Sequence, residues 1–200
     1  MKNKEVVFTD KVIYLKNNIR SIVMDAASKS LTELYCYVVC QNRGDILDVG
    51  FGMGFSANKI YELADSYTCI EINPQIYTKA VEWAKDKPNV NIIFGDWSDI
   101  LPTLTTKFDG IFMDTHDDPN YLNFEQACKS VAKEGCILSI FNYFAIRDKK
   151  ELNGFEANVD SYNFAKPVPS THSINWTHFI QGEFVKHGSN KVKFKQTHLI

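Results

Sequence analysis

Between residues 46 and 142, short apolar runs alternate with segments whose apolar residues recur at helical spacing. The runs cover 46–49, 67–72, 90–94, 111–113 and 136–141. Each is rich in β-branched or aromatic residues and bounded by Gly, Asn or Asp, the signature of parallel strands buried on both faces. Between them Ala57, Ile60, Tyr61 and Ala64 fall at i, i+3, i+4, i+7, as do Tyr77, Ala80, Val81 and Ala84, and then Phe124, Ala127, Cys128 and Val131. Asn73-Pro74 opens the second helix, with Asn as N-cap and Pro at the first helical position. Strand–helix alternation with short connections predicts a doubly wound α/β fold.

Outside this core the pattern weakens. Leu31, Leu34, Tyr35, Val38 and Val39 predict one more amphipathic helix before the first strand. Residues 1–27 show no clean period and are expected to form a lid or an arm. Near the other end, 174–180 and 183–186 look like two strands about a turn at Gln181-Gly182. The charged segment 191–195 reads as a blunted edge strand or, preferably, a disordered end. The expected architecture is therefore a Rossmann-like, mostly parallel sheet of about seven strands that ends in an antiparallel C-terminal hairpin.

Composition narrows the function classes. The 200 residues are 44% hydrophobic with a net charge of −2, enough for one core and without the basic field of a nucleic-acid binder. The longest charge-free apolar stretch, 135–146, is shorter than the about 20 residues a membrane helix needs. No apolar stretch follows the charged start, so no secretory signal is expected. Five cysteines, odd in number and without a C-x-x-C, read as buried thiols of a cytoplasmic protein.

The main chemical signal is Asp48-Val49-Gly50-Phe51-Gly52-Met53-Gly54, between a strand and a helix. Such glycines let the backbone turn sharply and approach a ligand closely. Glu71 ends the next strand, about 20 residues on, where a carboxylate accepts from ribose hydroxyls. The loop reads G-x-G-x-G, with Phe55 where a dinucleotide fingerprint has its third glycine. Asp48 would repel a pyrophosphate but tolerates a cationic ligand, so the pattern favours S-adenosyl-L-methionine over NAD. Gly95-Asp96-Trp97 follows the third strand at the same sheet edge, where Asp accepts from an adenine amino group and indole packs on its face. A helix N-cap Asp beside a core Trp is the structural alternative.

With these residues the chain resembles the class I S-adenosylmethionine-dependent methyltransferases, and more narrowly the guanidinoacetate N-methyltransferase family and its arginine-methylating relatives. The resemblance is carried by Ile46-Leu47-Asp48-Val49-Gly50-Phe51-Gly52-Met53, Ile70-Glu71-Ile72-Asn73, the Gly95-Asp96-Trp97-Ser98-Asp99 run that continues to Pro102-Thr103-Leu104, and Phe108-Asp109-Gly110-Ile111-Phe112-Met113-Asp114-Thr115. It implies one methyltransferase domain over 1–200, with 1–45 as N-terminal lid and helix and 46–200 as core. It further implies cofactor contacts from Met24, Gly50, Phe51, Gly52, Met53, Gly54, Phe55, Ser56, Glu71, Ile72, Asn73, Asp96 and Trp97. Asp114, ending the fourth strand, would bind and deprotonate the acceptor nitrogen. Two positions depart: Asp96 stands where the family has an apolar residue, and Ser28 where it has a substrate-binding Glu.

A guanidinium is a poor nucleophile until it loses a proton, so carboxylates against it serve as anchor and base. Asp25, Glu33, Asp117 and Asp118 are candidates for a second acid beside Asp114. Asp25, Ser28, His116 and Asn142 are the expected substrate contacts. The expected partner is a small-molecule acceptor, with no nucleic acid, no membrane and no metal, and with a homodimer left open. Metal-dependent O-methylation through Asp114-Thr115-His116-Asp117-Asp118, an internal reaction of the cofactor, and a non-catalytic binding module are the alternatives.

Overall fold

A computed structural model describes residues 1–116, 118, 123–141, 180–187 and 191–195. Five parallel strands form its centre: β4 (Asp45–Val49), β5 (Ser66–Glu71), β6 (Val90–Phe94), β7 (Phe108–Met113) and β8 (Ala132–Ile140). They lie in the order β6-β5-β4-β7-β8. The chain therefore steps outward from β4 through β5 to β6, then returns to the far side of β4 as β7. That reversal opens a crevice beyond the carboxyl ends of β4 and β7, the position where open α/β sheets bind ligands.

Helices cover both faces of the sheet. On one, α1 (Lys29–Val39), α2 (Phe55–Leu63) and α3 (Pro74–Ala84) bury Tyr35, Ile60, Ile76 and Ala80 against β4 and β5. Tyr35 stacks on Phe112 of β7 at 5.6 Å between centroids. On the other face α4 (Trp97–Ile100) and α5 (Phe124–Cys128) pack Trp97, Leu101, Phe124 and Cys128 over Leu47, Ile111 and Leu138. Asn73 caps α3 as its sequence predicts, accepting from the Gln75 and Ile76 amides at 3.0 and 3.2 Å.

At two places the structure departs from the sequence pattern. Residues 1–27, in which the sequence shows no strand period, are chiefly a three-stranded antiparallel sheet, β1 (Val6–Phe8), β2 (Val12–Leu15) and β3 (Asn18–Asp25). Register shifts on both sides of Tyr14 break its alternation, which is why the sequence shows no period there. The sheet is fastened to the core: the Asn73 side-chain amide donates to the Met1 and Lys4 carbonyls, and the Val6 amide to Gln75 Oε1. Further on, Ile180–His187 is one extended segment, so Gln181-Gly182 forms no turn, and Lys191–Lys195 is extended too. Residues 174–179 lie outside the described residues.

Candidate active site

At the end of β4 the chain must turn within a few residues under the ends of β5 and β7. Gly50 donates its amide to Ile70 O at 2.9 Å, and Asp114 donates to Val49 O at 2.9 Å. A Cβ on Gly50 would sit 2.1 Å from Asp114 O, and one on Gly52 would sit 2.5 Å from Met24 Sδ. Both glycines have positive φ, so the loop needs them for conformation as well as for space.

Glu71 organises this turn from below. Its Oε2 accepts the Phe51 amide at 2.9 Å and its Oε1 the Asn73 amide at 2.7 Å. Burial raises its carboxyl above the usual range, and the backbone amides around it oppose the rise.

These elements wall a cavity of about 290 Å³, near the lower end for small-molecule sites. Of the sequence-predicted residues, Met24, Gly50, Gly52, Glu71, Ile72, Asp96, Trp97, Asp114, His116 and Asp118 line it together. Asp114 follows β7 directly, and burial pushes its carboxyl up to about 7. His116 Nε2 lies 3.4 Å from Ser21 Oγ, bringing β3 against the same loop. Asp96 is both things its sequence allowed: it lines the cavity, and its Oδ1 caps α4 by accepting from the Ser98 amide and hydroxyl. Trp97 sits edge-on to Phe124 at 5.0 Å and donates its indole N–H to Asp118 Oδ2 at 2.5 Å.

Other predicted residues are placed elsewhere. Phe51, Met53, Gly54, Phe55, Ser56 and Asn73 shape the loop and its flanks but do not line the cavity. Phe51 instead packs edge-on to Trp83. Asp25 and Ser28 are also off the lining: Asp25 Oδ1 caps the short 3-10 turn by accepting from the Ala27 amide, and Ser28 Oγ donates to Asp25 O. Asn142 lies outside the described residues. Asp48 is not beside the cavity but fully buried behind it, its Oδ2 accepting from Ser56 Oγ at 2.7 Å and Tyr67 OH at 2.8 Å. Burial pushes that carboxyl up to about 7 against the pull of both hydroxyls.

The sequence did not single out Met1 and Lys2 as cavity residues; they arrive there through the N-terminal sheet. Val49 and Ile70 also line it, and as the residues at or next to the ends of predicted strands they could have been found.

The sequence pattern of the family described as guanidinoacetate N-methyltransferase matches residues 15–142, well over half of the chain. The chain belongs to this family. Protein arginine N-methyltransferase 2 of Saccharomyces cerevisiae is 25% identical over 204 residues, covering 88% of this chain and 48% of the yeast protein. Its namesake in Yarrowia lipolytica is 33% identical over 108 residues, covering 48% of this chain and 22% of that protein. The chain thus spans at most about half the length of these curated relatives. Among solved structures, the O-methyltransferase TomG from Streptomyces achromogenes in complex with S-adenosylmethionine superimposes with a TM-score of 0.51, at 21% identity over 57% of this chain and 56% of TomG. That likeness is one of fold. The cofactor bound to TomG in that structure is S-adenosylmethionine.

The cavity suits that cofactor. Gly50 and Gly52 leave backbone exposed where a side chain would intrude, and the carboxylates of Glu71 and Asp96 line it at the ends of β5 and β6. No helix among the described residues is long and apolar enough to cross a membrane.

Proposed function

We propose that the chain methylates a nitrogen of a small guanidino compound, guanidinoacetate or an arginine-like molecule. The observation that carries this reading is the position of Asp114, beside Gly50 at the end of β7 and in the same cavity as Glu71 and Trp97. S-adenosylmethionine, when bound, supplies a methyl group on a sulfonium whose thioether leaving group needs no protonation. Glu71 accepts from the ribose hydroxyls, while Asp96 and Trp97 hold the adenine. Met24 and the glycine loop fix the methionyl end.

Asp114 anchors the acceptor cation and takes the proton that silences its nucleophilic nitrogen. A carboxyl held up near 7 by burial is ionised more readily once a cation faces it, so acceptor binding itself prepares the base. His116 adds a polar contact next to it. The reading needs no metal.

The family match and the arginine N-methyltransferase name of the yeast relatives support a guanidino nitrogen as target. We also infer one domain over 1–200, its sheet extended to seven strands by an antiparallel hairpin. The backbone pairing of 180–187 with β8 and with Lys191–Lys195 supports this. Five free, buried cysteines favour a cytoplasmic setting.

The deciding experiment offers guanidino, amino and carboxylate acceptors with labelled cofactor and follows the methyl by mass spectrometry. Methylation of a guanidino nitrogen, lost in Asp114→Asn, is the expected result. Methyl on oxygen with dependence on magnesium would replace this reading by O-methylation. Cofactor turnover without any acceptor would replace it by self-reaction.

A further inference from the structure

The loop after β7 carries Asp114, Thr115 and His116, all of which line the cavity. One end is fixed by the sheet, through the Asp114 amide on Val49 O. Four residues further on, Asp118 receives the Trp97 indole N–H at 2.5 Å, a contact between positions 21 residues apart. Trp97 is a rigid partner. It is 5% exposed, starts a helix capped by Asp96, and has its ring set edge-on against the fully buried Phe124. Both Trp97 and Asp118 also line the cavity, so the contact joins its cofactor wall to the loop that holds Asp114.

We propose that the Trp97–Asp118 hydrogen bond is a latch by which an occupied cofactor cavity fixes the loop carrying Asp114. Asp118 is thereby a positioning residue for the acceptor site. The inference rests on the reading that sets the adenine against Trp97. An adenine on that indole covers the half-buried indole–carboxylate contact from water, so the N–H holds Asp118 more firmly once the cavity is filled. The hydrogen bond is charge-assisted and partly shielded from water, so it is among the stronger single contacts available to a loop. Coupling of this kind is reciprocal: a loop held by the acceptor tightens the cofactor wall by the same factor.

Hydrogen exchange of the whole chain, with and without saturating S-adenosylhomocysteine, tests the latch without requiring the acceptor to be known. Exchange at the Thr115 and His116 amides should slow at least about 10-fold on adding the ligand, reporting closure of local opening. Asp118→Ala should leave less than about a 3-fold response there, while Asp118→Asn, which keeps an oxygen for the indole, should restore it. The Phe51 and Gly52 amides should slow in all three proteins, which also shows that each variant is folded and binds. An unchanged Thr115 and His116 response in Asp118→Ala would overturn the latch alone, and so would Asp118→Asn behaving like the alanine variant. If Phe51 and Gly52 fail to slow in the parent protein, the cofactor-site reading falls and the latch with it.

Discussion

Glu71 holds Phe51 by accepting its backbone amide at 2.9 Å, so the acid ending β5 grips the middle of the glycine loop. The Asn73 amide takes the other carboxylate oxygen at 2.7 Å. Glu71 therefore shapes the loop, in addition to the ribose contact proposed for it. Removing it loses both effects. Glu71→Ala should weaken S-adenosylmethionine binding at least about 10-fold by calorimetry, because charge-assisted bonds are each worth about 1.5–3 kcal/mol. Glu71→Gln keeps one acceptor oxygen and should fall between the alanine variant and the parent. Equal affinity of all three would remove Glu71 from the cofactor site.

Gly50 and Gly52, which both line the cavity, should fail differently. A Cβ at Gly50 meets the Asp114 carbonyl, backbone that cannot step aside, so Gly50→Ala should lower the melting temperature and accumulate as misfolded protein. A Cβ at Gly52 meets Met24 Sδ, the far end of a flexible side chain. Gly52→Val should fold with a smaller loss of stability, yet show no measurable cofactor binding. Thermal melts and calorimetry on the two variants separate these outcomes.

Asp48 makes stability depend on pH. Its carboxyl is raised from 3.8 to about 7 by burial, so the folded state holds a proton that the unfolded chain releases at lower pH. The stabilisation from this group is complete below about pH 4 and is lost as pH rises toward 7, at a slope of on the order of 1.4 kcal/mol per pH unit. Asp48→Asn, which cannot ionise, should lose less stability between pH 4.5 and 7.5 than the parent in urea unfolding. Asp114 and Glu125, also raised to about 7 by burial, leave a residual slope of the same sign.

For Asp114 the sign in catalysis is opposite. A base must be ionised, so turnover at subsaturating acceptor should rise with pH through about 7. Asp114→Asn should abolish methyl transfer and flatten that profile, with cofactor affinity changed by less than about 3-fold because the ribose and adenine contacts remain. An active Asp114→Asn enzyme would exclude the proposed base.

A chelator should leave the rate unchanged, since positioning and proton removal are assigned to side chains. Activity lost with a chelator and restored by magnesium would contradict that assignment.

The central sheet was legible because its strands other than the edge strand β6 are largely buried on both faces and leave near-continuous apolar runs, as in the stretch from Cys136 to Phe141. Asn73 and Pro74 marked the start of α3 because capping is a local interaction, confined to two or three neighbouring residues. The N-terminal sheet was not legible, since its bulged register at Tyr14 erases the period of two on which strand reading depends. In the site, residues on the turns after β4, β5 and β6 could be found from spacing alone. The direction of Asp48 could not: whether it faces the ligand or the helices is decided by Tyr67, on a neighbouring strand. For Asp25 the sequence allows a surface or capping role as well as a substrate contact, and the structure shows its carboxylate capping through the Ala27 amide.

The five buried thiols have a chemical consequence if the proposed function holds and the cavity receives an alkylating agent. A sulfonium methyl passes to whichever ionised nucleophile is aligned with it, and thiolate sulfur outcompetes nitrogen. Cys69 lies only two residues before Glu71 on β5, and Cys36 contacts the Ser56 carbonyl just beyond the glycine loop. Neither lines the cavity, and burial together with the nearby Asp48 charge holds both thiols far above their ordinary pKa. Cys40 is pushed up to about 12, and Cys128 and Cys136 are raised by burial as well. The fold thus keeps its five thiols protonated and off the cavity lining, so a methyl donor bound there would meet no thiolate.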